Sequence, residues 1–298
     1  MSVSVIVPTF NGAHKLPNVL QSLLNQGFQD FELIVSIDGS TDNTAEVLQT
    51  WLPKFKNARS IFHQNSGRSK TRNSGAINAT ADLLIFIDDD MRLEPDCLEL
   101  HIHHHGKFPG SLVSGAQVYD EKKAMDDFQR YKSLISRNWY KPIEKIYPQP
   151  LPLSQLHLTA ANFSVSKKVF EELGMFDESV TDMEDFLLAY KAVQKGIPVY
   201  YLHAAFGWHD DFADIYSMQE RYNQYRKTAK GVILRFPEIG KTHPRYSQTL
   251  LTFIKKLGYT LLTRRLLVRL INNNKTIPEP LRYALYGAVI HAKANTLS

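Results

Sequence analysis

The chain has 298 residues, of which 43% are hydrophobic and 22% charged, a composition that excludes a disordered or fibrous protein. Its net charge of +5 permits anionic partners such as nucleotide-sugars or acidic lipid without identifying one, and we expect no nucleic-acid partner. A single cysteine, Cys97, excludes an internal disulfide, and no apolar run reaches the ~18 residues of a membrane span. Because no basic leader segment follows Met1 either, a cytoplasmic location is predicted.

Two kinds of apolar pattern alternate along the first 90 residues. Short continuous runs predict buried strands, and runs with apolar residues three and four positions apart predict helices, as at 16–24. The predicted strands are 3–7, 31–37, 60–63 and 83–87. Because strands alternate with helices, the predicted fold class is α/β, with a doubly wound, mostly parallel sheet flanked by helices.

After residue 90 the alternation becomes less regular. The proline-rich stretch 142–152 is predicted to be a loop. The other elements predicted in this part include helices at 95–105 and 125–140 and strands at 112–119 and 158–164. From residue 214 onward the pattern predicts helices alone. We therefore expect one domain over residues 1–211 and an all-helical C-terminal extension over residues 212–298.

Polar residues follow several of the predicted strands, where open α/β sheets bind their ligands. Thr9 and Asn11 follow the first strand, Asp38 ends the second, and Asp88 to Asp90 follow the fourth. Adjacent carboxylates repel one another, so the last group favours a hard divalent cation, which in such sites usually shares its coordination sphere with substrate phosphates. The alternative is a solvated acidic turn before a helix. The chain has neither the glycine-rich dinucleotide motif nor a P-loop.

Seven segments occur in the order and at the spacing typical of one enzyme family. Over roughly its first 210 residues, the chain resembles the family-2 glycosyltransferases, which have the GT-A fold. The segments are 3–11 (VSVIVPTFN), 31–44 (FELIVSIDGSTDNT), 65–73 (NSGRSKTRN), 83–90 (LLIFIDDD), 161–166 (ANFSVS), 174–178 (GMFDE) and 183–188 (MEDFLL).

The resemblance implies an enzyme that moves a sugar from a nucleoside-diphosphate-sugar, with a UDP-sugar as the expected donor, to a hydroxyl of a saccharide or lipid-linked saccharide. The transfer would be one in-line displacement with inversion of the anomeric carbon, assisted by Mn²⁺ or Mg²⁺. Residues 1–110 would bind the donor, and residues 111–211 would form the acceptor side. A role in bacterial surface polysaccharide or glycolipid synthesis is expected.

The same resemblance assigns residues to the donor nucleotide. Asp38 would hydrogen-bond the base, while Pro8, Thr9 and the nearby Asn11 would line the base and ribose. Ile37 stands where the family often has a second acidic residue, so the identity of the base stays open. Arg72 would help to hold the nucleotide, unless it is a solvent-facing helix charge.

A D-x-D motif formed by Asp88 and Asp90 would hold the metal. Asp90 is the expected direct ligand, and Asp88 would reach the ribose or a metal-bound water. Asp89, on the other side of the chain, would contact substrate or cap the following turn. His209 is a further candidate for the metal or the diphosphate.

The pair Glu184-Asp185 would act on the acceptor. Asp185 is the expected general base, because a weakly nucleophilic hydroxyl needs a carboxylate to take its proton. Adjacent helical residues point about 100° apart, so Glu184 would instead orient the loop or bind an acceptor hydroxyl. The alternative is a pair of acids placed at a helix N-terminus by the helix dipole.

Two other functions are compatible with some of these features. A sugar-1-phosphate nucleotidyltransferase also uses an α/β sheet and a metal, but it would carry a glycine-rich basic loop where this chain has Pro8-Thr9-Phe10-Asn11. A catalytically degenerate binding subunit would not need Asp88, Asp90 and Asp185. The histidines at 101 and 103–105 suggest zinc, but without a third ligand a solvated helix end is predicted.

The stretch 250–271 is rich in leucine and has no acidic residue nearby. A basic amphipathic helix of this kind can lie on an anionic membrane. We therefore consider a peripheral contact with the inner face of the plasma membrane, with packing on the catalytic domain or on a second copy in a homodimer as the alternative. The interleaved basic residues are Lys255, Lys256, Arg264, Arg265 and Arg269.

Overall fold

A computed structural model describes residues 1–243, 259–272 and 274–296. The described strands form one sheet in the order β3-β2-β1-β4-β7-β6-β8-β5. Their bounds are β1 Val3–Thr9, β2 Glu32–Asp38, β3 Ala58–His63, β4 Leu83–Ile87, β5 Met91–Leu93, β6 Leu112–Val118, β7 Asn162–Ser166 and β8 Val199–His209.

The sheet is mostly parallel, as predicted. Strands β1 to β4 pair in parallel, and so do β6 and β8. Strand β7 lies antiparallel between β4 and β6, and β5 lies antiparallel to β8. Strand β7 begins at Asn162, four residues later than the predicted strand 158–164.

The helices of the described residues follow the predicted alternation in the first half of the chain. One prediction is wrong: α5 continues through Pro142, where a loop was expected. Proline removes one N–H from the ladder, but Tyr140 and Ile143 lie in a buried cluster with Leu151 and Tyr201 that stabilises this last turn. The bounds are α1 Leu16–Leu24, α2 Thr44–Trp51, α3 Arg68–Asn78, α4 Cys97–Lys107, α5 Asp127–Glu144, α6 Lys167–Glu172, α7 Glu184–Gln194, α8 Ile215–Arg235, α9 Pro237–Thr242, α10 Arg265–Ile271 and α11 Glu279–Thr296.

Helices cover both faces of the central strands. On one face, Val5 of β1 and Ile85 of β4 belong to a buried cluster that includes Leu20 of α1. On the other face, Ile6 contacts α3 so closely that a Cβ atom on Gly75 would lie 2.4 Å from Ile6 Cγ2. Burial on both faces explains why β4 is apolar at every position and why β1 is apolar at most positions rather than alternating.

Three of the four histidines on and near α4 are buried, so the predicted solvated helix end is wrong for them. His101 Nδ1 lies 2.8 Å from Ser164 Oγ, and His105 Nε2 lies 2.9 Å from the same hydroxyl. His104 Nε2 lies 3.0 Å from Ser111 Oγ. Because these rings lose their water, burial lowers the pKa of His101 and His104 to about 4 and that of His105 to about 3.

The chain divides into two compact units, residues 1–118 with 140–210 and residues 119–139 with 211–298. The second unit therefore includes residues 119–139, which belong to the predicted acceptor side, 111–211. Its core contains Phe128 of α5, Ile215 of α8 and Tyr286 of α11. None of the described helices is long and apolar enough to cross a membrane. Residues 250–258 of the leucine-rich stretch lie outside the described residues.

Candidate active site

The parallel strands β1, β2 and β4 end at one edge of the sheet, and their following loops meet there. Asn11, after β1, reaches the loop after β2: its Oδ1 accepts from the Thr41 backbone N–H at 2.8 Å. The Asn11 N–H donates to Ser40 Oγ at 2.9 Å. Pro8 lies in β1 opposite Ser36 of β2 and is buried. These contacts join the loops that carry the predicted donor residues.

Asp38, at the end of β2, is buried and holds the loop that precedes α3. Its Oδ1 accepts from the Ser66 N–H at 2.7 Å, and its Oδ2 accepts from the Gly67 N–H at 3.0 Å. Gly67 has φ +91°, a conformation that L side chains rarely adopt. The carboxylate thus has an ordering role, and its contact with a nucleotide base stays a prediction.

Arg72 of α3 connects the acidic cluster to the start of α7. Its Nη2 lies 2.6 Å from Asp88 Oδ1, and its Nη1 lies 2.8 Å from Glu184 Oε1. The residue is only 2% exposed, so it is not a solvent-facing helix charge. Burial opposes its charge, yet Asp88 and Glu184 together raise the pKa of Arg72.

Asp89 is also buried and lies within the same cluster. Thr9 Oγ1 donates to Asp89 Oδ2 at 2.7 Å, and Lys15 Nζ lies 3.3 Å from Asp89 Oδ1. Burial raises the pKa of Asp89 to about 6, with Lys15 acting in the opposite sense. A Cβ atom on Gly12 would lie 1.9 Å from Thr9 Oγ1, so this close approach requires glycine there.

Asp90 lies between two basic side chains. His209 Nε2, at the end of β8, is 3.0 Å from Asp90 Oδ1, and Lys15 Nζ is 3.4 Å from Asp90 Oδ2. The Asp210 N–H donates to the Asp90 carbonyl at 2.8 Å, which anchors the end of β8 to the acidic loop. Although burial opposes its ionisation, His209 and Lys15 hold the pKa of Asp90 well below its usual range.

Asp90 and His209 would together hold a divalent ion, because a carboxylate oxygen and an imidazole nitrogen of the two side chains lie 3.0 Å apart. Within residues 1–243, 259–272 and 274–296, no group of three or more His, Cys, Asp or Glu is arranged to hold a metal. An ion here would complete its coordination with diphosphate oxygens or water, as Mg²⁺ usually does. Carboxylate and imidazole ligands also suit Mn²⁺.

The Glu184-Asp185 pair begins α7 and points in two directions, as the helical geometry predicts. Glu184 reaches Arg72, whereas Asp185 Oδ1 accepts from the Phe186 N–H at 2.7 Å. Burial and the neighbouring charge of Glu184 raise the pKa of Asp185 to about 6. Met183, immediately before the pair, has the uncommon φ of +69°, a strained conformation of the kind often found at functional sites.

Lys15 is the functional candidate that the sequence did not indicate. It lies outside the D-x-D and E-D motifs, in the turn between β1 and α1. A basic residue in such a turn is usually solvated, so only the folded turn reveals its contact with Asp89 and Asp90.

Known proteins share this sequence pattern and this fold. The model of Glycosyl transferase family 2 matches residues 4–174. Validoxylamine A glucosyltransferase of Streptomyces hygroscopicus is 28% identical over 222 residues, which are 66% of this chain and 52% of that protein. A GalNAc(5)-diNAcBac-PP-undecaprenol beta-1,3-glucosyltransferase of Campylobacter jejuni is 38% identical over 93 residues, 30% of each chain. The chain thus spans about half the length of the first relative and less of the second.

Two solved structures have the same fold at low sequence identity. S. aureus TarS in complex with UDP-GlcNAc superposes with a TM-score of 0.64 at 18% identity, covering 100% of this chain and 91% of that one. The mannosyltransferase PcManGT of Pyrobaculum calidifontis, in complex with GDP-Man and Mn²⁺, has a TM-score of 0.64 at 16% identity and covers 99% and 86%. The fold is therefore GT-A, and because the family model covers more than half of the residues, the chain belongs to glycosyltransferase family 2.

Proposed function

We propose that this chain catalyses metal-assisted glycosyl transfer with inversion, from a nucleoside-diphosphate-sugar to an acceptor hydroxyl. The observation that carries the proposal is the continuous link from Asp88 through Arg72 to Glu184, which joins the acidic strand end to the helix that bears Asp185. Residues 1–110 would provide the donor side. A UDP-sugar is the first donor to test, because a UDP-sugar is bound in TarS, and GDP-sugars are the second, because PcManGT holds GDP-Man.

Asp90 and His209 would hold the divalent ion, with Asp88 within the same cluster. When bound, the ion supplies positive charge that stabilises the leaving diphosphate. The Mn²⁺ of PcManGT supports Mn²⁺ as the first ion to test, with Mg²⁺ beside it. Asp38, Pro8, Thr9 and Asn11 would order the loops around the nucleotide.

Asp185 would take the proton of the acceptor hydroxyl while the oxygen of that hydroxyl forms a bond to the anomeric carbon. At the same time the bond between the anomeric carbon and the diphosphate oxygen breaks. The pKa of Asp185, about 6, lies below neutral pH, so the group is ionised there yet basic enough to accept a proton. One displacement inverts the anomeric configuration, and the chain needs no covalent nucleophile. Glu184 would pair with Arg72 and maintain the position of the α7 N-terminus.

The test is incubation with UDP-, GDP- and dTDP-sugars and Mn²⁺, followed by proton NMR of the sugar released to water or to an acceptor. Release of nucleoside diphosphate with the opposite anomer supports the proposal. Retention of configuration would contradict it. Formation of a nucleotide-sugar from a nucleoside triphosphate and a sugar-1-phosphate would identify a nucleotidyltransferase, and donor binding without turnover would identify a degenerate binding subunit.

We also propose that the acceptor is a saccharide or lipid-linked saccharide of a bacterial surface polymer, reached at an anionic membrane. The name of the C. jejuni relative includes an undecaprenol-linked saccharide. Residues 211–298 contain 15 Lys and Arg against five Asp and Glu, which concentrates positive charge in the second unit. On α10, Leu266 and Leu270 are 73% and 58% exposed, and Arg265 and Arg269 lie beside them.

Co-sedimentation with anionic and neutral liposomes tests this surface. We expect salt-sensitive binding to anionic liposomes that Leu266→Glu with Leu270→Glu abolishes. The matched control is Leu234→Glu on α8, which is 83% exposed and lies outside α10. Absence of binding by the unmodified protein would contradict the membrane proposal, and a concentration-dependent dimer would then favour the alternative use of this face.

A further inference from the structure

Lys15 places a protein cation within the proposed metal site. Its Nζ lies 3.3 Å from Asp89 Oδ1 and 3.4 Å from Asp90 Oδ2, so one ammonium bridges both carboxylates. The backbone holds it in place, because the Lys15 N–H donates to the Gly12 carbonyl at 2.9 Å in the turn before α1. About a third of the side chain stays exposed, which leaves it room to move.

The charges around this cluster indicate what Lys15 does there. Asp88 already has a buried cationic partner in Arg72, whereas Asp90 and Asp89 share Lys15. A divalent ion on Asp90 would lie a few ångströms from the ammonium, and like charges at that distance repel strongly in a half-buried site. Lys15 and the ion therefore compete for the same carboxylate.

We propose that Lys15 couples metal binding to donor binding. Without donor, its ammonium neutralises Asp89 and Asp90 and weakens the affinity for a divalent ion. A donor diphosphate brings anionic oxygens that accept from the three N–H groups of the ammonium, so Lys15 leaves Asp90 to the ion. The inference rests on the proposed metal-assisted transfer, and it makes the ion and the diphosphate bind as cooperative partners.

Mn²⁺ titration followed by electron paramagnetic resonance tests this coupling without requiring turnover. The variant Lys15→Met removes the charge and keeps a similar length, whereas Lys15→Arg keeps the charge. Lys168→Met, at an exposed position on α6, is the matched control. Each protein is titrated with Mn²⁺ alone and with saturating UDP.

We expect Lys15→Met to bind Mn²⁺ alone at least ~10-fold more tightly than the unmodified protein, with Lys15→Arg and Lys168→Met unchanged. UDP should strengthen Mn²⁺ binding to the unmodified protein. The same factor should be ~10-fold smaller in Lys15→Met, because this variant has no ammonium for the diphosphate to draw away from Asp90. Lys15→Gln replaces Lys15→Met if that variant does not fold.

Equal or weaker Mn²⁺ binding by Lys15→Met, with normal binding by the unmodified protein, overturns the role of Lys15 and leaves the proposed function intact. Absence of Mn²⁺ binding by every protein, even with UDP, overturns both the metal site and this inference. An equal gain in affinity in Lys168→Met would show a general charge effect and would also overturn it.

Discussion

Two polar clusters lie against the same sheet, and they manage charge in different ways. The acidic cluster after β4 contains three carboxylates, each of which lies beside a basic side chain. The histidine cluster on α4 contains neutral rings that contact Ser164, Ser111 and Asn162. The first cluster lies at the edge where the parallel strands end, and one of its cationic partners, Lys15, is about a third exposed. The second is buried, and its rings are neutral in the folded protein at neutral pH.

Breaking the buried ion pairs of Arg72 should cause the greatest loss of stability. Arg72→Met should lower the free energy of unfolding by about 3–5 kcal/mol, because Glu184 would be left buried without its partner. The measurement is denaturant unfolding of the variant and the unmodified protein. The matched control is Arg68→Met on the same helix, whose exposed pair with Asp182 should contribute at most ~1 kcal/mol. Equal losses in both variants would remove the distinction between buried and exposed pairs.

The histidine cluster should make the fold sensitive to acid. The folded-state pKa of His101, about 4, lies below the unfolded value of 6.5, so the unfolded state binds more protons between these values. Stability is therefore fully present above pH 6.5 and lost as the pH falls toward 4, by roughly 3 kcal/mol for His101 alone.

The pH dependence of the free energy of unfolding tests this prediction when a variant is compared with the unmodified protein. His101→Gln should reduce the loss between pH 6.5 and 4, whereas His103→Gln, at an exposed position of the same helix, should not. The same pH dependence in all three proteins would mean that the buried rings do not cause the acid sensitivity.

The smallest effect is expected at Asp90. Asp90→Asn should weaken Mn²⁺ binding in the presence of UDP by about 10-fold, because a neutral amide is a poorer ligand for a dication. Asp82→Asn, an exposed position before β4, is the matched control. Unchanged Mn²⁺ affinity in Asp90→Asn would remove this carboxylate from the metal site.

The sequence predicts what depends on local pattern. Apolar runs predict β1 and β4, because strands buried on both faces need apolar residues there. The parallel order of the strands then predicts that the acidic residues after β4 lie at the edge of the sheet where ligands bind. The sequence also offers a helix N-terminus as the alternative setting for Glu184 and Asp185, and α7 begins at this pair. These features need only neighbouring residues and the rules of sheet topology.

Features that depend on distant contacts were not predictable. Arg72 and Glu184 are 112 positions apart, and Lys15 is 74 and 75 positions from its partners, so no local pattern indicates either contact. The burial of His101 depends on Ser164 and Asn162, which only the folded sheet brings under α4. A histidine is typical of both a surface and a core, and its neighbours decide between them.

Single-turnover kinetics of the Asp185→Asn variant test the proposed role of Asp185 as general base. We expect turnover of the donor sugar to fall by ~10²-fold or more, while UDP binds with Mn²⁺ as in the unmodified protein, because the amide cannot take the proton but leaves the donor side unchanged. The unmodified enzyme should also lose activity as the pH falls below about 6, where Asp185 becomes protonated. Undiminished turnover by Asp185→Asn, with only a weaker affinity for the acceptor, would assign the proton transfer to another residue.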